Sequence, residues 1–453
     1  MKKIISISFT VYSLILNVYA QQSANVDLVF DWQSADTNVK GYNDIWGFEK
    51  DGKEYAVIGS NWGTHFLEVS QNLPQILEIA NFEGKANNVT WRDYKTYSHY
   101  VYGVADGDSN SLQIFDFQYL PDSIVKVLDT NLYTESAHNI YIENDRLYFA
   151  SNKIEDNNSD HALDIYSLQN PEEPTLLAAF SNNYFDLNLV HDVQVVGNIA
   201  YCSSGYGGLH IYDFEDVNNP VLKAKIDIYP EQGYNHSSWL SDDGSKLVVA
   251  DEVPASLALK LFQVSDYENI ELLDIFYSSD SATPHNPFFV DDKIIVSYYL
   301  DGVQIFDYSN VFDVNRVGFY DTYPQNSNYN NNHYGGCWGV YPYLPSKNIL
   351  ASDRTNGLFV LKNELPALNV NKVEKIEASI HPNPIKNNKI NLKSKHIIEQ
   401  FWIFNSAGKI VKTSSIDKKS NKIIIDNVDF ESGNYLISIL LSNGKYETLK
   451  FKI

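Results

Sequence analysis

The chain is short of sulfur, of cations and of helical periodicity. Of its 453 residues only Cys202 and Cys337 are cysteines and one is methionine, so no disulfide framework holds it and stability must come from packing. Residues 21–369 carry 18 Lys and Arg against 49 Asp and Glu, a balance that repels nucleic acid and anionic lipid and attracts cations. Beyond the N-terminus no stretch approaches the ~20 apolar residues of a membrane helix, which leaves no candidate transmembrane segment. Almost no window spaces apolar residues helically over three turns. No nucleophile elbow, phosphate loop or H-E-x-x-H zinc helix occurs, so no common catalytic motif argues for an enzyme.

What the chain has in abundance is aromatic side chains, 32 Tyr, 23 Phe and 7 Trp, which suit sheet surfaces better than helices. The whole chain reads as β. Residues 1–20, MKKIISISFTVYSLILNVYA, combine two lysines, an apolar run and Ala20 preceded by Val18, the pattern of a secretory signal peptide.

A unit of about fifty residues recurs. One copy runs HDVQVVGNIAYCSSGYGGLHIYDFEDVNNPVLKAKI, from His191 to Ile226, and parses into four strands separated by Gly, Asn, Asp and Pro turns. A second runs HNPFFVDDKIIVSYYLDGVQIFDYSNVFDVNRVGFY, from His285 to Tyr320. Third strands recur at residues 64–69, 111–117, 162–168, 208–214, 258–264, 302–308 and 357–363, which makes seven units. A four-stranded antiparallel unit of this length is the signature of a β-propeller blade. The seventh unit stops after its third strand, and NVDLVFDW (25–32) resembles the missing fourth, so the N-terminal strand is expected to close a seven-bladed β-propeller over residues 21–366.

Residues 367–378, Lys- and Asn-rich, read as a linker. Residues 379–453 break into short strands with Asn-Gly and Ser-Gly turns, and predict a small immunoglobulin-like β-sandwich. From residue 370 onward the charge reverses, 14 Lys against 8 Asp and Glu.

Two resemblances follow from these motifs. GLHIYDFEDVNNP and GVQIFDY resemble the LVIVD-repeat propellers of the choice-of-anchor B type, found on bacterial surfaces. Pro382-Asn383-Pro384, IFNSAGK (403–409) and GNYLI (433–437) resemble together the C-terminal sorting domain of type IX secretion in Bacteroidota. That likeness implies export across the outer membrane, recognition by the type IX machinery, and release or attachment at the cell surface.

Registering each first strand against its second and third puts one residue per unit at the position of His191: Asn43, Asn87, His138, His191, His236, His285 and Cys337. Innermost propeller strands line the central channel, so these residues are expected at one mouth. Three readings stay open for the four histidines among them. They can form a hydrogen-bonded polar plug with water, or bind a transition metal such as Cu or Zn with Asp192, Asn139 or Asn286 orienting the rings, or floor a small-ligand pocket. Arg92 can reach the channel to hold an anion or can pair with a carboxylate.

The loops from second to third strands rim the same face and carry Asn61, Trp62, Asp106, Asp108, Glu155, Asp156, Tyr206, Asp251, Glu252, Tyr299, Asp301, Asp353 and Arg354. Two of them, ADGDSN (105–110) and EDNNSD (155–160), are loosely like calcium loops but suit ordinary Asx turns. The functional expectation is a secreted or surface binding and scaffold protein for an unidentified surface or small-molecule ligand. The alternative is a metal-binding protein or metalloenzyme using His138, His191, His236 and His285.

Overall fold

A computed structural model describes residues 23–453 apart from 71–73, 87, 108, 155–158, 182–188, 280, 325–333, 366–377, 386–387, 406–408, 427–429, 431 and 443–445. The signal-peptide segment and nearly all of the expected linker therefore lie outside the described residues. The chain divides into two compact units between Leu365 and Pro366. Every regular element among the described residues is a strand, and no helix is long and apolar enough to cross a membrane.

The first unit holds seven antiparallel sheets resembling propeller blades. Their first strands are Tyr42–Lys50, Arg92–Tyr97, Asn139–Glu143, Asp192–Val196, Asn235–Leu240, Pro287–Val290 and Cys337–Tyr341, and sheets one to six each continue through the next three strands in chain order. Sheet seven takes its fourth strand from the N-terminus. Val26–Trp32 pairs antiparallel with Gly357–Asn363. Just before it, Ser23–Ala24 pairs with Phe319–Tyr320 at the outer edge of sheet six.

The outer pairing carries its own signature. Where the fourth strand meets the third, the register slips in every sheet, for example between Ile211 and Tyr212 and between Ile305 and Phe306, and twice in sheet three. The N-terminal strand slips in the same way between Leu28 and Phe30. A β-bulge shared by all seven sheets increases local twist and places Val26–Trp32 among the fourth strands.

Burial follows the stacking of sheets. Central strands such as Leu209–Asp213 and Val303–Asp307 are buried along nearly their whole length, whereas the outer Val221–Ile226 is mostly exposed. Seven apolar clusters lie between successive sheets; one of them joins Tyr42, Ile45 and Ile58 of sheet one to Leu350, Leu358 and Val360 of sheet seven. Sheets buried on both faces need continuous apolar strands rather than alternating ones, which explains VGNIAYCSS and KIIVSYY.

Glycine begins several third strands for a steric reason. Gly208 and Gly302 have φ of 80° and 75°. A Cβ there would lie 2.4 Å and 2.1 Å from the carbonyl oxygens of Ile226 and Tyr320, so only glycine allows the fourth strand to close over the turn. The following hairpin is fixed by Asx turns, Asp216 accepting from Asn218 N at 3.0 Å and Asp266 from Glu268 N at 3.0 Å.

The second unit consists of Ser379–Ile380, Ile390–Phe404, Ile410–Ile425, Asn434–Leu441 and Tyr446–Lys452. The sequence predicts a two-sheet sandwich, but these strands form one continuously paired set. Two long strands carry the pairing across an irregularity between Lys393 and Ile398. Ile390, Leu392, Phe401, Ile403, Ile437, Ile439 and Phe451 form its core.

Candidate metal centre

The backbone pairing of each first strand aims its opening side chain. His138 N, His191 N and His285 N donate to Ala150 O, Ser203 O and Ser297 O at 3.1, 2.7 and 2.9 Å. Equivalent backbone bonds in sheets three, four and six, and a bulge at His236 in sheet five, bring the four imidazoles into one row. Ring centroids are 3.9 Å apart for His138 and His191, 4.2 Å for His191 and His236, and 4.2 Å for His236 and His285.

Pairing also fixes which residues of the other sheets occupy this position. Val193 pairs with Cys202 and Cys202 with His210; in sheet two the corresponding chain is Tyr94, Gly103 and Gln113. Arg92 therefore stands where His191 does; Asn87 lies outside the described residues. In sheet five His236 is an extra residue between the paired Asn235 and Ser237, and in sheet seven Trp338 is the extra residue between Cys337 and Gly339. Trp338 continues the row, its ring 4.8 Å from His285.

Cys337, expected at the mouth, instead packs in the apolar cluster between sheets six and seven. Burial pushes its thiol well up, and pushes that of Cys202 up to about 12, so both are poor nucleophiles at neutral pH. Asn43 is buried and donates to Thr90 O at 3.1 Å, and it lines a different cavity. Arg92 forms no ion pair among the described residues. Its Nε donates to Ser60 O at 2.9 Å and Nη2 to Ala86 O at 3.4 Å, carbonyl partners rather than the expected carboxylate.

The ring nitrogens of the row divide into held and open ones. His138 Nδ1 meets Asp106 Oδ2 at 2.8 Å, and His191 Nδ1 lies 3.1 Å from Asp192 Oδ1 and 3.2 Å from His236 O. Asp192 is itself held by Asn286 Nδ2 at 3.1 Å. Nε2 of His138 and His191 is left without a hydrogen bond among the described residues. Buried Nδ1 atoms of His236 and His285 have none either.

Charge follows this division. Burial disfavours protonated His138, yet the Asp106 bond and the carboxylates of Asp192 and Asp93 raise its pKa overall. Asp106 is lowered to about 2: burial opposes ionisation, and the bond and charge of His138 outweigh it. Burial would also raise Asp192, but the His191 bond and the surrounding imidazoles hold its carboxyl far below the usual range. His236 and His285 are pushed well below 6.5, first by burial and then by neighbouring imidazoles. They are neutral, the ligand form, at physiological pH.

His138, His191 and His236 can each offer one nitrogen within 4.8 Å of the others, and so can His236 and His285 together with a carboxylate oxygen of Glu252. Tyr299 donates to Glu252 Oε1 at 2.7 Å and its ring lies 4.9 Å from His285. The cavity beneath the row encloses about 70 Å³ and is lined by His138, Asp192, His236 and His285, with Asp93, Lys95 and Trp338. That is room for an ion and a few waters.

Residues after the row form a second polar tier that the sequence reading used only at Asp192, Asn139 and Asn286. Asp93 accepts from Lys95 Nζ at 2.8 Å, from Asn139 Nδ2 at 3.1 Å and from Ile140 N at 2.6 Å. Beside it, burial and then the Asp93 charge raise the pKa of Asp44 well above the usual value. The signal for this tier was in the dipeptides Asn43-Asp44, Arg92-Asp93, His138-Asn139, His191-Asp192 and His285-Asn286.

Other rim residues separate by role. Asp251 is fully buried and paired with Lys260 at 2.6 Å, and buried Asp353 accepts from Thr322 at 2.7 Å, so both serve the framework. Asp108, Glu155 and Asp156 lie outside the described residues. In ADGDSN, Asn110 donates to Gly107 O at 2.6 Å and Asp106 accepts from Gly107 N at 2.7 Å, a turn whose carboxylate serves His138.

Residues 379–453 match the family described as secretion system C-terminal sorting domain. The domain indicates type IX export, to the outer cell surface or into the medium, and implies contact with the type IX machinery. Among curated proteins no relative matches. Among solved structures, a putative 6-phosphogluconolactonase from Bacteroides fragilis is 11% identical over 87% of this chain and 100% of its own, with a TM-score of 0.49. PorZ, a surface component of the type IX secretion system of Porphyromonas gingivalis, is 11% identical over 90% of this chain and 59% of its own, at 0.45. A computationally designed protein, Ika8, is 8% identical over 94% and 99%, also at 0.45. Likeness at these scores carries no argument about function.

Proposed function

We propose that residues 23–365 form one seven-bladed β-propeller, closed by Val26–Trp32, and that its mouth binds a divalent transition metal ion through His138, His191 and His236, with His285 beside them. The observation that carries this is the row of four imidazoles at contact distance, with Nδ1 of two held by carboxylates and Nε2 of those two open. A carboxylate on Nδ1 fixes the tautomer and makes the other nitrogen a better donor, the usual support for a ligating histidine.

A polar plug would have to recruit water to the buried Nδ1 atoms of His236 and His285, which no protein group among the described residues satisfies; the metal reading rests instead on the carboxylate-held Nδ1 atoms of His138 and His191. A small-ligand floor needs more space than about 70 Å³, since organic ligands occupy roughly 300 Å³ or more. Imidazole nitrogens with carboxylates behind them suit Cu or Zn; calcium prefers a shell of oxygen ligands.

The test is elemental analysis of the purified, tag-free protein, stripped with chelator and offered Cu(II) or Zn(II). About one equivalent is expected, lost in His191→Ala and His236→Ala. Less than a tenth of an equivalent would sink the reading and leave an exported binding or scaffold propeller.

A further inference from the structure

A second cavity of the first unit, larger than the one beneath the histidine row, lies where the chain enters sheets one and two and meets the Arg354 loop of sheet seven. It encloses about 350 Å³ and is lined by Lys40, Asn43, Asn61, Thr90, Arg354 and Thr355, among others. Among the described residues no carboxylate lines it, and two cations do, on a unit where acids outnumber bases by more than two to one. A cavity of that size is large enough for a small organic molecule.

Arg354 is held ready for an anion. Its guanidinium lies over the Trp338 ring at 5.0 Å, and Nη1 donates to Tyr334 O at 2.6 Å. No carboxylate pairs with it among the described residues. Stacking on an aromatic face fixes the plane of the fork while leaving further donors free, the form in which arginine recognises carboxylate or phosphate. Asn61 is occupied differently: its Oδ1 accepts from Lys40 N at 2.7 Å and Gly41 N at 3.3 Å, which fixes the backbone that carries Lys40. Thr90 and Thr355 add hydroxyls to the wall.

We propose that this cavity binds the carboxylate or phosphate group of a small organic anion, with Arg354 as the principal contact and Lys40 adding charge at the entrance. On a unit where acids outnumber bases, two cations without carboxylate partners in one cavity favour an anion there. Trp338 touches both Arg354 and His285, and an anion held here sits beside the histidine row. The proposal does not depend on a metal being bound there.

The test is calorimetric titration of the metal-free full chain with inorganic phosphate and, separately, with succinate, at low ionic strength, with choline as a cation control. Saturable binding of at least one anion and none of choline is expected, weakened at least ten-fold in Arg354→Met and about three-fold in Lys40→Gln. Arg354→Lys keeps the charge and loses the fork, and should recover only part of the affinity. Trp338 emission should respond to the anion in the wild type and not in Arg354→Met. Equal affinity in wild type and Arg354→Met, or no saturable binding of either anion, would overturn the proposal. An unchanged thermal melt of Arg354→Met shows that the variant is folded, and because the titration uses metal-free protein its outcome is independent of that of the metal reading.

Discussion

Asp192→Asn removes one charge from the centre with almost no change of shape. Asp192 Oδ1 faces His191 Nδ1 at 3.1 Å and Oδ2 accepts from Asn286 Nδ2 at 3.1 Å, so both neighbours donate. A carboxylate satisfies two donors. An amide has one oxygen, and its NH₂ must then face either His191 or Asn286, donor against donor. Losing a hydrogen bond to a charged acceptor in so buried a place costs about 1.5–3 kcal/mol. The same change frees His191 to rotate or to exchange tautomer, and loss of such an orienting partner weakens metal binding about 10–100-fold, or about 1.4–2.8 kcal/mol. The two routes agree in size. Competition for Zn(II) between apo-protein and a chromophoric chelator should therefore show Kd rising by about 10–100-fold. Asp216→Asn, which alters an exposed turn carboxylate of the same unit, should leave Kd unchanged. A Kd for Asp192→Asn within two-fold of wild type, with an unchanged circular dichroism spectrum, would refute the orienting role.

Three further outcomes follow from other parts of the first unit. His236 and His285 are neutral when folded, with pKa well below 6.5, and take up protons near 6.5 when unfolded. Their contribution to apo-protein stability is present above that pH and lost as pH falls below it. His138, His161 and the raised carboxyl of Asp353 contribute in the opposite sense, so the decisive comparison is between wild type and a variant lacking the two lowered histidines. Between pH 7 and pH 5.5 the apo-protein melting temperature should fall further in wild type than in a His236→Asn, His285→Asn variant; an equal or smaller fall in wild type would contradict this. Deleting Ser23–Trp32 removes the strand paired with Gly357–Asn363 and buried Val26. At roughly 0.2–1 kcal/mol per cross-strand pair and 1.5–3 for the valine, the loss is on the order of 5 kcal/mol, and an unchanged thermal melt would count against closure. Lys260→Met leaves the fully buried Asp251 without its cation, which should cost about 3–5 kcal/mol in urea unfolding; less than 1 would show the pair to be dispensable.

Much of this was legible because a repeat multiplies each local signal. One GLHIYDF is an ambiguous strand; seven third strands, four of them with glycine where the fourth strand closes over the turn, define a unit and its order. The four histidines were found in the same way, as one position of the unit seen four times, and the pairing of residues 25–32 with the last unit came from a strand left over. Where the count of residues in the first hairpin is regular, as in sheets three, four and six, position along the unit equals position in space.

Asn87 and Cys337 mark where that equality ends. In sheet two the chain before Arg92 is longer than the count allowed, and in sheet seven a bulged residue displaces Trp338 into the row and Cys337 into the core. A bulge depends on twist and packing between sheets, which a spacing rule does not contain. Partners were hidden for a related reason. Asp106 reaches His138, and Asn286 reaches Asp192, from different sheets, and no local pattern links residues 32 or 94 positions apart. By itself the sequence determined the strands, their repetition, the sorting tail and the four histidines, because backbone geometry and alternating burial act over a few residues. Only the tertiary structure decided which ring nitrogens are held or open, that the space beneath them fits an ion, and that Arg354 faces a larger cavity lined by no acid among the described residues, because all three depend on distances between sheets.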